Sequence, residues 1–87
     1  MSEIDDYFRK QDRFTADMIA TFDDGKLPEE LLPYFQWKKG KDRLSIQQID
    51  SMRYYLYEIL NADVEPNIED YLYAIDAELD NIRMNYP

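Results

Sequence analysis

Apolar side chains recur every three or four residues in three separate tracts of this chain, which is the period of an amphipathic helix rather than of a strand. In the first tract Ile4, Tyr7, Phe8, Phe14, Met18, Ile19 and Phe22 share one stripe. Ser2 is positioned to cap that helix, with Asp5 in its first turn. Asp23-Asp24-Gly25 supplies the stop, because glycine tolerates the left-handed conformation that ends helices.

In the second tract Ser45 with Gln48 three residues on is a capping-box signature, followed by Ile49, Met52, Leu56, Ile59 and Leu60 at helical spacing. That helix is expected to run to Ala62. Pro66 blocks its continuation, and Asn67 with Asp70 is expected to restart the chain as N-cap and third residue. Ile68, Leu72, Ile75, Leu79, Ile82 and Tyr86 then follow a 4-3-4-3-4 spacing, a heptad seam over nearly three repeats.

The connector at residues 26–44, KLPEELLPYFQWKKGKDRL, breaks the pattern. Pro28 suits a first helical position, whereas Pro33 is expected to clash with the turn before it, which allows one short helix or 3₁₀ turn at most. Leu27, Leu31, Leu32, Phe35 and Trp37 are expected to tuck against the helices, leaving Lys38, Lys39, Gly40 and Lys41 as a basic exposed turn. Short connections force consecutive helices antiparallel. The expectation is a single all-α domain over residues 1–87: a three- to four-helix bundle with a long N-terminal helix, a short Pro-containing connector and a C-terminal antiparallel hairpin. The echo of YYLYEIL in DYLYAID gives two helices similar core chemistry; two occurrences do not define a repeat array.

Charge changes this picture. Nineteen acids against ten bases give a net charge of −9, spread as −4 over residues 1–24, +2 over 25–44 and −7 over 45–87. Such a balance repels phosphate backbones and anionic lipid, so the expected partners are basic proteins, with no direct nucleic-acid or membrane binding. The acids in MSEIDDYF stand where a signal peptide needs positive charge, and there is no cysteine, so a cytoplasmic setting is expected.

Candidate chemistry is sparse. Without histidine or cysteine there is no Ser/His or Cys/His pair and no imidazole or thiolate metal site. Asp23-Asp24-Gly25 lacks the alternating ligands and later glutamate of a calcium loop, and neither glycine lies in a phosphate-cradling motif. We therefore expect no catalytic residues, no metal and no cofactor. Trp37-Lys38-Lys39-Gly40-Lys41, with Tyr34, Phe35 and Arg43 nearby, has the composition of a single-strand binder, but between acidic segments its favoured role is pairing with the protein's own acids or those of a second copy.

What stands out is eight tyrosines, mostly beside carboxylates. At about 100° per residue with Leu56 at the centre, Tyr55 and Tyr57 flank the buried stripe at roughly ±100°, placed to keep rings inward and hydroxyls wet, while Tyr54 lies near 160° and has no core role. On the fourth helix Tyr71 lies at the edge of the buried arc. Tyr73 lies outside it, on a face shared with Glu69, Asp76 and Asp80, with Arg83 placed to neutralise part of Asp80.

Tyrosine offers a large rigid contact with a polar end, and regularly spaced carboxylates imitate a nucleic-acid backbone. In size, charge and carboxylate-plus-aromatic faces the chain resembles small acidic helical proteins that occupy the nucleic-acid groove of an enzyme, many of them made by phages against host defences. That resemblance implies a DNA-mimic-like inhibitor whose partner is a nucleic-acid-handling protein; the outward faces of the third and fourth helices supply Tyr54, Tyr57, Glu58, Glu69, Tyr73, Asp76 and Asp80 as the expected partner-binding residues. The alternative is an assembly subunit whose fourth-helix heptad and tyrosines form a homodimer across a two-fold axis.

Overall fold

The Ser45 capping box closes as its sequence predicts: the Gln48 N–H donates to Ser45 Oγ at 3.1 Å and the Ser45 N–H donates to Gln48 Oε1 at 3.0 Å. In the computed structural model, which describes residues 3–86 and side chains from residue 13, this box starts one of four α-helices: α1 Glu3–Asp23, α2 Leu32–Lys38, α3 Ile46–Leu60 and α4 Pro66–Met84. A 3₁₀ turn, Glu29–Leu31, leads directly into α2. The protein is all-α. The expected Ser2 cap lies outside the described residues, as do the side chains of Ile4, Asp5, Tyr7 and Phe8.

Both glycines end helices. Gly25 and Gly40 take φ of 77° and 76°, and each is followed by the paired hydrogen bonds that close a helix C-terminus. Gly25 N–H reaches Phe22 O and Lys26 N–H reaches Thr21 O; Gly40 N–H reaches Trp37 O and Lys41 N–H reaches Gln36 O.

Prolines produced two corrections. Pro33 does not clash: it sits second in α2, where its missing N–H would have no helical partner, so a 3₁₀ turn and a helix both fit into the connector. Glu65, not Asn67, is the N-cap of α4, because Pro66 with its fixed φ and absent donor suits the first helical position. At the other end of the hairpin α3 stops at Leu60, two residues short of the expected Ala62.

The core is drawn from every element. Met18 of α1, Leu27, Leu31, Tyr34 and Phe35 of the connector, Leu44, Ile49, Met52 and Leu56 leading into and along α3, and Leu72, Ile75 and Leu79 of α4 are all buried. Phe14 packs on Tyr71 with ring centroids 5.2 Å apart, and Phe22 stacks on Phe35 at 4.2 Å, so α1 docks through aromatic contacts. The connector contributes more than expected through Tyr34. Leu32 contributes less, remaining 43% exposed rather than tucked in.

Tyr34 is fully buried and donates its hydroxyl to Glu78 Oε2, while the Lys38 ammonium donates to Glu78 Oε1 at 2.7 Å. Burial first, then the hydrogen bond to Glu78 and its negative charge, push the Tyr34 phenol well above its ordinary range. A buried hydroxyl needs such a partner, so this triad ties α2 to α4. Just past the C-terminal end of α4, Tyr86 donates to Leu44 O at 3.0 Å.

Helices α3 and α4 run antiparallel, as their ion pairs show. Arg53 reaches Asp76 and Asp80, whereas Asp50, one turn earlier in α3, meets Arg83, further along α4. The heptad seam faces this hairpin: Leu72, Ile75 and Leu79 have no exposed surface. The outer members of the seam are less enclosed: Ile68 and Ile82 are half-buried and Tyr86 is exposed.

Candidate functional site

The outer edge of the α3–α4 hairpin is where the residues expected from the sequence to bind a partner fall, and helix geometry explains what reaches it. With Ile49, Met52 and Leu56 turned inward, Tyr54 and Tyr57 emerge on the far side of α3; with Leu72 and Ile75 turned inward, Tyr73 emerges from α4. Tyr54 is 67% exposed, Tyr57 69% and Tyr73 53%. Tyr57 is thus a surface residue rather than the boundary residue expected, whereas Tyr55 and Tyr71 are half-buried as their angles required.

A groove of about 480 Å³ runs between the two helices here, lined by Arg53, Tyr54, Tyr57, Leu60, Asn61, Tyr73 and Asp76. It unites four of the seven candidate residues. Glu58, Glu69 and Asp80 do not line it: Glu58 is exposed on α3, and Glu69 and Asp80 are half-buried on α4. None of the three tyrosine rings stacks on another aromatic among the described residues. The groove lining includes the half-buried Leu60 together with Asn61, which donates to Tyr57 O at 3.0 Å.

Electrostatics at this edge differ from expectation. Arg53, which sequence reasoning passed over, donates from Nε to Asp76 Oδ1 at 3.3 Å and forms an ion pair through Nη1 with Asp80 Oδ1 at 3.0 Å. Arg83, expected near Asp80, instead bridges to Asp50 at 3.3 Å. The ring of free carboxylates about Tyr73 is therefore partly neutralised: one positive charge faces two negative ones. Glu58 and Glu69 form no ion pair among the described residues. Arg53 precedes Tyr57 by four residues, a same-face spacing that marks it as part of this edge.

Elsewhere the basic turn behaves in part as read. Lys38 pairs with Glu78 and Lys39 with Asp23 at 2.9 Å, while Lys41 and Arg43 are exposed and unpaired among the described residues. Tyr34 and Phe35, grouped by sequence with the lysines, lie in the core and leave only Trp37 beside the cations. That removes most of the aromatic platform a single-strand binder needs. A second concavity of about 360 Å³ lies where Pro33, Met52 and Tyr55 meet Glu30; partial burial and then the Glu30 charge raise the Tyr55 phenol above its usual value.

No cluster of three acidic residues placed to hold a metal ion occurs among the described residues, and no helix there is long and apolar enough to cross a membrane. Comparison with protein-family models, curated proteins and solved structures gave no match.

Proposed function

We propose that this chain is an acidic protein-binding module whose α3–α4 edge docks on the basic nucleic-acid-binding groove of a partner protein and occludes it. The observation that carries the reading is the joint exposure of Tyr54, Tyr57 and Tyr73 along one groove beside carboxylates. Folding gains little from three large rings left in water, whereas a docking surface gains rigid area at small entropic cost. A net charge of −9 steers the module to a basic target, and Glu58, Glu69 and the outer oxygens of Asp76 and Asp80 supply charge-assisted hydrogen bonds to its Arg and Lys side chains.

The test is affinity capture from the native host cell with mass spectrometry, using the wild type beside Tyr73→Ala and Asp76→Lys. The expected result is a basic nucleic-acid-handling protein that both variants lose, that duplex DNA or RNA displaces, and whose affinity falls about tenfold or more from low to physiological salt. An affinity that ignores salt and nucleic-acid competitor would refute occlusion by charge mimicry.

A further inference from the structure

We infer that the tyrosine groove is a receptor for a single arginine side chain of the partner. This inference rests on the docking function proposed above and names the chemical group that enters. Four observations point to it. The rings of Tyr54, Tyr57 and Tyr73 border a groove of about 480 Å³ with their faces unstacked by any other aromatic among the described residues. Such faces attract a cation within about 6 Å, and arginine more often than lysine.

Asp76, in the wall of the same groove, uses only Oδ1 toward Arg53, which leaves Oδ2 without a protein partner among the described residues. Local charge sums to −1, from Arg53 against Asp76 and Asp80, so a further cation is drawn in rather than repelled. Leu60 offers apolar surface for the aliphatic stem, as long basic side chains require. A planar guanidinium stacks on a ring and donates edge-on to a carboxylate at the same time, which a spherical ammonium does less well.

The probe is a short Gly/Ser peptide carrying one arginine, titrated against isotope-labelled protein by NMR and compared with otherwise identical lysine and citrulline peptides. Citrulline keeps the shape and removes the charge. Expected are shifts confined to residues bordering the groove for the arginine peptide, weaker ones for lysine and none for citrulline. Tyr57→Ala and Tyr73→Ala should each weaken binding about fivefold, Tyr57→Phe should retain it, and the remote charge control Asp24→Asn should match wild type. Shifts spread over the whole acidic surface, equal response to citrulline, or unchanged affinity in both alanine variants would each overturn the assignment.

The two proposals fail separately. If the arginine peptide fills the groove while host capture yields no basic partner, the receptor stands and the occlusion function falls. If a basic partner is captured equally well by a Tyr57→Ala/Tyr73→Ala double variant, the receptor falls instead.

Discussion

Arg53 and Asp76 meet at 3.3 Å across the hairpin, and the same guanidinium holds Asp80 at 3.0 Å. One α3 cation thus governs how much negative charge the α4 edge shows. Replacing it, as Arg53→Gln, frees both carboxylates. Ion pairs this exposed contribute about 0–1 kcal/mol each, so the unfolding free energy should fall by no more than about 2 kcal/mol. Affinity for the arginine peptide should rise several-fold, read from the same NMR titration; weaker binding would show that Arg53 is itself part of the receptor.

The three groove tyrosines should be removable without harm to the fold. Tyr54→Ala, Tyr57→Ala and Tyr73→Ala each alter mostly exposed surface, for which changes within about 0.5 kcal/mol are usual. Phe35→Ala, by contrast, deletes a fully buried ring stacked on Phe22 and should cost about 3–5 kcal/mol. Urea unfolding followed by circular dichroism separates the two classes.

Tyr34 gives stability a dependence on alkaline pH. Its phenol titrates near 10.0 in the unfolded chain and higher in the fold, where burial and Glu78 oppose the phenolate. The unfolded state therefore loses its proton first, so the contribution is fully present below about pH 10 and declines above it, by about 1.4 kcal/mol per pH unit, until the folded group titrates. Tyr34→Phe should lower stability near neutrality by about 1–2 kcal/mol through loss of the bond to Glu78, and should show a shallower decline above pH 10. Parallel slopes in wild type and variant would contradict this account.

Gly40→Ala tests the end of α2. A Cβ there meets nothing within 4 Å, so the whole effect comes from the backbone at φ of 76°. A loss of about 1 kcal/mol is expected, with Gly40→Asn milder because asparagine tolerates that conformation. Ser45→Ala should cost a similar amount, about 1 kcal/mol, by opening the capping box of α3. Both are read as shifts in thermal midpoint.

Local signals in the sequence were enough for the three long helices, the stop of α1 and the start of α3. Ser45 with Gln48, Gly25 after Phe22, and the 3-4 spacing of Leu72, Ile75 and Leu79 depend on residues within a turn or two of one another, and there short-range sterics and hydrogen bonding decide. The angular argument likewise sent Tyr54 and Tyr73 outward, because a helix that buries one stripe must expose the opposite one. The prolines were misjudged because their effect depends on where a helix begins, and a shift of one residue turns a clash into a favourable start.

Only tertiary structure decided the partners of side chains far apart in the chain. Glu78 receives Tyr34 and Lys38 from some forty residues away, which turned an apparent surface aromatic into a core residue. Arg53 chose Asp76 and Asp80, and Arg83 chose Asp50, because the antiparallel approach of α3 and α4 sets those distances and helical periodicity within one segment does not. The groove exists for the same reason: Tyr54 and Tyr57 lie on one helix and Tyr73 on the other, and the packing of Leu56 against the α4 core brings their rings to a common edge.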